Sequence, residues 1–349
     1  MMKNNKVLNE DINSLANSII CDEIKGKTFF ITGATGLIGS VCVKALLKCN
    51  DLFGADIKVV AFMRNPEKAK SVFEGYESEN LIFVTGDIND NITYEGEVDY
   101  IIHGASVTSS RFYVSNPVET INTAIAGTNN TLKFALQKKV SGFVYLSSLE
   151  VYGTPDPTLE AIKEDYSGYI DQTSVRSSYS ESKRLAETLC CSYASEYGVP
   201  VKIARLSQTF GAGVEYNDGR VFAEFARCAI EGKDIVLHTK GKTVRSYCYT
   251  TDAVDAIFKI LLKGENMNAY NVTNMNTACS IYEMGEIVCK AFPESDIKVL
   301  IDIPKDAFSF GYNPEMIIKL DSAKLENLGW QPKYNIEDMM KRLVESMKN

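Results

Sequence analysis

Residues 28–40 read TFFITGATGLIGS, and the order of these residues decides the fold. A β-rich run, Thr28–Thr32, stops at Gly33, two more glycines follow at three-residue intervals, Gly36 and Gly39, and Leu37 and Ile38 open an apolar helical segment. Glycines let the backbone approach a ligand closely, and a helix N-terminus supplies free N–H groups and a positive dipole end. A GxxGxxG turn with a strand before it and a helix after it predicts a pyrophosphate cradle built from Gly33, Thr35, Gly36, Leu37, Ile38 and Gly39.

Outward from the turn the chain alternates. Further strands are expected at Ile57–Met63, Leu81–Thr85, Tyr100–His103, Gly142–Leu146 and Val201–Leu206, separated by helices near Leu37–Lys48, Pro66–Phe73, Val118–Gln137 and Tyr179–Tyr197. Parallel strands need long crossovers, so strands alternating with helices mean βαβ units and a parallel sheet. Six strands in about 180 residues is the size of a doubly wound nucleotide-binding domain. The predicted class is α/β, a Rossmann-like doubly wound parallel sheet with a smaller, interleaved C-terminal α+β lobe.

Residues 1–26 are assigned to a helical extension, because Leu8, Ile12, Leu15, Ile19 and Ile20 recur at helical spacing. Residues 27–206 are the dinucleotide domain, with a return near 244–263, and residues 207–243 and 264–349 are the substrate lobe. Helices are expected there at Arg220–Glu231, Ile281–Ala291 and Ile336–Met347, and in the return at Tyr249–Lys263.

The 349 residues are 45% hydrophobic and 23% charged, which suits a globular protein with a sizeable core and excludes collagen, coiled-coil and disordered classes. Lys+Arg 37 against Asp+Glu 45 leaves a net charge of −8, with no basic surplus for nucleic acid. No long apolar run and no leader-like start are found, so neither a membrane nor export is expected and the cytoplasm is the predicted compartment. Nine scattered cysteines without a CxxC pair predict reduced thiols and no metal.

Enzymes that prefer NAD usually carry an acid at the end of the second strand, facing the ribose 2′-hydroxyl. Here Arg64 stands there and could pair with a 2′-phosphate, so the expected cofactor is NAD or NADP. Asp87 and Ile88, past the third strand, are placed to border the adenine.

Of 18 tyrosines only Tyr179 is followed four residues on by a lysine, Lys183. One helical turn apart, the ammonium can lower the phenol's pKa and hold a cofactor ribose. Ser148 ends the strand FVYLSSLEVYG, at the sheet edge where such folds place their chemistry, and Glu150 comes just after it as a carboxylate able to act as general base.

These motifs together resemble the extended short-chain dehydrogenase/reductase family of nucleotide-sugar epimerases, dehydratases and decarboxylases. TGATGLIGS, GDI at Gly86–Ile88, HGAS at His103–Ser106, SSLEVYG, Tyr179-x-x-x-Lys183, DGRVFAEF, RSYCYTTDAV and LGWQP carry the resemblance, which spans about residue 27 to the end. It implies a catalytic triad of Ser148, Tyr179 and Lys183, Ala105 beside the cofactor, and Ser106, Gln208, Arg220 and Arg245 toward a nucleotide-sugar substrate. His103 is either a cofactor contact or a packing residue. A homodimer is expected.

The middle of the chain is most similar to UDP-glucuronate decarboxylases, with departures that bear on the reaction. Leu149 stands where 4,6-dehydratases carry a proton-donating acid, which disfavours that dehydration. Ile317 or Ile318 stands near the place of the decarboxylases' C-terminal arginine, with Lys319 the nearby cation. Ala124 and Gln208 replace two asparagines usual in the family. The expected chemistry is therefore transient oxidation of a sugar carbon, with epimerisation, decarboxylation and keto reduction left open. An intact Ser148, Tyr179 and Lys183 argue against a dinucleotide-binding regulator without activity.

Overall fold

All five residues of the first strand, Thr28–Thr32, are buried, as a parallel strand covered by helices on both faces requires. The computed structural model describes residues 5–19, 21–303 and 315–348. Its strands are β1 (Thr28–Thr32), β2 (Lys58–Met63), β3 (Leu81–Thr85), β4 (Tyr100–His103), β5 (Gly142–Ser148), β6 (Val201–Leu206), β7 (Gln208–Phe210), β8 (Ile235–Leu237), β9 (Val244–Tyr249), β10 (Ala269–Val272), β11 (Asn274–Ser280), β12 (Val299–Ile301) and β13 (Ile317–Ile318). Its helices are α1 (Lys6–Ser18), α2 (Cys21–Ile24), α3 (Leu37–Phe53), α4 (Pro66–Val72), α5 (Ser110–Ser115), α6 (Pro117–Lys138), α7 (Ser178–Tyr197), α8 (Val221–Glu231), α9 (Thr250–Lys263), α10 (Ile281–Ala291), α11 (Ala323–Glu326) and α12 (Ile336–Lys348).

Seven parallel strands form the main sheet in the order β10-β6-β5-β4-β1-β2-β3. The order reverses between β1 and β4, and a doubly wound sheet opens a crevice at that point, outside the carboxyl ends of its strands. Thr32 of β1 lies in register with Phe62 of β2 and His103 of β4, so the loops leaving these strands emerge along one edge.

The return to this sheet runs further than the sequence suggests. After α9 the chain adds β10 beside β6, in a stretch assigned to the lobe. Its four residues, AYNV, are too few to display a strand period. Trp330 and Leu325 also belong to the main core, and the Trp330 indole N–H donates to the Asp252 carbonyl of α9 at 2.9 Å.

A second core joins α8, α10 and α12 to β7, β8 and β9 through Phe210, Phe222, Tyr247, Met284 and Leu343. This lobe carries a four-stranded sheet, β11-β9-β13 with β7 on β9, and a pair, β12-β8.

The N-terminal helix forms as its periodicity predicts, with Leu8, Ile12 and Leu15 buried, but it stops at Ser18 and Ile19 takes an extended conformation. Ile20 lies outside the described residues. The same face also buries Asp11, which takes the hydroxyl of Tyr249 at 2.6 Å and the guanidinium of Arg342 at 2.7 Å, tying α1 to α12.

Candidate active site

The glycine turn is the best-defined part of the site. Gly33 has φ +68°, a left-handed conformation that strains other residues, and a Cβ there would lie 2.7 Å from the Gly104 backbone. A Cβ on Gly39 would collide with the Gly33 carbonyl. Gly36 is different: it is exposed, it heads α3 without a side-chain cap, and an added Cβ would meet only the Gly33 oxygen, at 3.2 Å. The first turn of α3 thus has no side-chain cap for its N–H groups and no side chain on its exposed Gly36, which fits a dinucleotide's pyrophosphate. Leu37 packs on the lobe core and Ile38 on the main core, so the turn is anchored where the two meet.

Neighbouring strand ends supply the other cofactor candidates. Arg64 is exposed just beyond β2, and Asn65 caps α4 by accepting from the Lys68 N–H at 2.9 Å. The Asp87 carboxylate accepts from the Asn89 backbone and side chain, and Ile88 is buried with its carbonyl taking the Asn130 amide. The Ala105 N–H donates to Thr32 Oγ1 at 3.1 Å, and Ser106 Oγ to the Val107 carbonyl at 3.3 Å.

At the end of β5, Ser148 Oγ accepts from the Glu150 N–H at 3.2 Å as the chain turns. Tyr179, in the first turn of α7, is 8% exposed, with the Ser148 hydroxyl acting on its phenol and the Tyr113 ring stacked on its own. Lys183 lies one turn on; its ammonium donates to the Leu146 carbonyl at 2.8 Å and lies 4.7 Å over the Tyr145 ring and 5.8 Å from the Tyr179 ring centre. Burial dominates both groups, pushing Tyr179 up to about 12 and Lys183 down to about 8. Burial thus outweighs the expected lowering of the phenol by the ammonium, and the Ser148 hydroxyl is what most opposes burial.

Around Glu150 stand residues that the sequence did not single out. Arg176 Nη2 meets Glu150 Oε1 at 3.0 Å, and Ser180 Oγ donates to Oε2 at 3.1 Å. The Arg176 guanidinium lies 5.2 Å from the centre of the Tyr113 ring, and that ring stacks on Tyr179 at 4.3 Å and 6°. RSSYSESK, residues 176–183, does place Arg176 and Ser180 beside the tyrosine, a signal available in the sequence. Tyr113 arrives from α5 and carries no such signal.

Leu149 and Ile318 share one apolar cluster with Val151, Tyr152, Ile162 and Leu320. Leu149, at the place where 4,6-dehydratases are expected to carry an acid, and Ile318, near that of the decarboxylases' arginine, thus belong to one apolar cluster. Ile317 is exposed, and the charge of Lys319 acts on Glu283.

His103 is a packing residue: it is 1% exposed, its ring nitrogens pair with Thr32 Oγ1 at 2.7 Å and Thr128 Oγ1 at 3.2 Å, and burial lowers it to about 3. Cys190 is buried in the core and both it and Cys191 are free thiols. In the lobe, Gln208 pairs in register with Tyr247, two residues from Arg245. Arg245 Nε and the Tyr247 hydroxyl are buried without a hydrogen-bond partner. Arg220 is paired with Asp218 at 2.6 Å and lies over Phe222, which stacks on Phe210, and Phe210 in turn meets Tyr247. Among the described residues no group of three or more His, Cys, Asp or Glu is arranged to hold a metal, and no helix is long and apolar enough to cross a membrane.

Residues 29–274 match the profile of the NAD dependent epimerase/dehydratase family. The chain is 32% identical over 338 residues to UDP-glucuronic acid decarboxylase 5 of Arabidopsis thaliana, covering 96% of this chain and 92% of that one. It is 30% identical over 323 residues to UDP-glucuronic acid decarboxylase 1 of Danio rerio, covering 91% and 72%. Its fold matches a UDP-N-acetylglucosamine 4-epimerase from Methanobrevibacter ruminantium in complex with UDP-N-acetylmuramic acid, with TM-score 0.79, 21% identity and coverage of 93% and 99%. It also matches a dTDP-glucose 4,6-dehydratase from Bacillus anthracis in complex with NAD, with TM-score 0.72, 23% identity and coverage of 92% and 96%.

Proposed function

The chain belongs to the NAD dependent epimerase/dehydratase family, and from that premise we propose that it transiently oxidises a ring carbon of a nucleotide sugar, with UDP-glucuronate as substrate and loss of its carboxyl group as the net reaction. The observation that carries this reading is the meeting of Ser148, Glu150, Tyr179 and Lys183 at the carboxyl end of β5. Bound on the Gly33–Gly39 turn, NAD would take up a hydride and give it back.

Tyr179, as the phenolate to which Ser148 donates a hydrogen bond, accepts the hydroxyl proton of the carbon being oxidised and becomes the neutral phenol. Lys183, held on the Leu146 carbonyl, keeps a positive charge one turn away. Oxidation at C4 makes the C6 carboxylate that of a β-keto acid. Its C5–C6 bond then breaks, CO2 leaves, and the electron pair becomes an enolate that takes at C5 a proton drawn from solvent, which Glu150 is assigned to relay. Tyr179 finally returns its proton to the C4 oxygen.

Arg64, Asp87, Ile88 and Ala105 are assigned to the cofactor's remaining length. Ser106, Gln208, Arg220 and Arg245 are assigned to the nucleotide sugar, supported by Arg245, whose buried unpaired Nε is a donor in need of an acceptor. A second copy of this chain is the proposed partner, on the exposed apolar side chains Val114, Val118, Ile121 and Leu185 of α5, α6 and α7; a solution mass of one chain would refute it. Eight free cysteines among the described residues fit a reducing cytoplasm, which cell fractionation checks.

The test is Tyr179→Phe, which keeps the ring and removes the base. CO2 release from UDP-glucuronate should fall by about 10²–10⁴-fold, with binding of the sugar nucleotide retained. Turnover at the wild-type rate refutes the assignment, and a C4 epimer formed without CO2 would leave oxidation standing and remove decarboxylation.

A further inference from the structure

The groups around Glu150 raise a question of charge. A sugar acid entering beside Glu150 meets a like-charged carboxylate, and near the place where relatives are expected to offer an arginine stand Ile317 and Ile318, the latter in one apolar cluster with Leu149. Some cation in the site has to receive the substrate's carboxylate, and most nearby cations are engaged. Arg205 is held by Glu187, the Tyr152 hydroxyl and the Glu164 carbonyl. Arg184 donates to the carbonyls of Val151 and Gly168, and Lys183 to that of Leu146.

Arg176 is arranged differently. It commits Nη2 to Glu150 Oε1 and rests its guanidinium over Tyr113, while a guanidinium has five N–H donors. Its side chain is 24% exposed, so part of the fork faces open space. The Tyr113 ring it lies over stacks on Tyr179, the reacting phenol, and the charge of Arg176 acts on both rings. Guanidinium and carboxylate pair in a planar, two-pronged geometry that a neutral hydroxymethyl group cannot reproduce.

Resting on the function proposed above, we propose that Arg176 is the specificity-determining residue for a C6 carboxylate on the sugar, with Glu150 holding it in place. Glu150 pre-orients the fork, and Arg176 in return neutralises Glu150, so that a second carboxylate can enter. The same guanidinium thus selects acid sugars and keeps Glu150 from repelling them.

Titration calorimetry with UDP-glucuronate and, separately, UDP-glucose tests this, on NAD-loaded protein carrying Tyr179→Phe throughout so that no turnover adds heat, with wild type and variant referring to position 176. The wild type should prefer the acid. Arg176→Gln should weaken UDP-glucuronate by about 10- to 100-fold, the scale of a lost charge-assisted contact, with UDP-glucose affinity held within about twofold. Arg176→Lys keeps the charge without the fork and should lose part of the acid preference alone; it decides the matter if Arg176→Gln fails to fold. A structural role would move both sugars together. Equal loss of both, or an unchanged acid preference, overturns the proposal and leaves the nucleotide-sugar reading in place. Binding of neither sugar by the wild type overturns both.

Discussion

Asp252, 2% exposed in α9, accepts the backbone N–H groups of Lys333 and Tyr334, and burial raises it to about 6. Between its ordinary value of 3.8 and about 6 the folded chain binds more protons than the unfolded one, so stability must fall as pH rises through that window. Asp252→Asn keeps an acceptor and removes the titration. Melting temperatures measured across that window should show the wild type losing ground to the variant as pH rises; parallel curves would contradict the role of burial here. Residues of this kind were not legible in the sequence, because nothing in TTDAV announces that the backbone of Lys333 and Tyr334 will close over the carboxylate. Tyr179, Lys183 and Ser148 were legible, since spacing on one helix and a strand end is written locally. Arg176 and Ser180 were visible beside Tyr179, but their purpose depends on Glu150, which lies 26 residues from Arg176. Tyr113 was invisible, because only tertiary packing lays it on Tyr179.

The element that defines the site is the turn into α3, and its three glycines do different work. Gly33 and Gly39 are required by the turn's own backbone, so substituting either confounds folding with binding. Gly36 faces outward with only one close neighbour for a Cβ. Gly36→Val should therefore keep a cooperative thermal transition and lose NAD binding by about 10-fold or more. Unchanged cofactor affinity would mean the pyrophosphate lies elsewhere. Most elements were legible from period and punctuation: the lobe helices α8, α10 and α12 and the return helix α9 begin within one residue of where the sequence places them. β10 was not, because a short strand shows no alternation, and neither was the break of the N-terminal helix at Ser18.

At the scale of the molecule, two cores meet at Leu37 and Ile38, and the carboxyl edge of the main sheet gathers the cofactor turn and the Ser148–Tyr179–Lys183 group. The net charge of −8 makes a cation inside the site all the more needed for an acidic substrate. In the proposed reaction a sugar carbon is oxidised and then reduced within one turnover. Single-turnover mixing of the NAD-loaded protein with UDP-glucuronate, plain or deuterated at C4, tests that most directly. The absorbance of reduced nicotinamide should rise and then decay, with the rise slowed by deuterium and the label recovered at C4 of a UDP-pentose. A UDP-pentose formed with no absorbance transient and no sensitivity to deuterium, or no turnover of UDP-glucuronate, would contradict it.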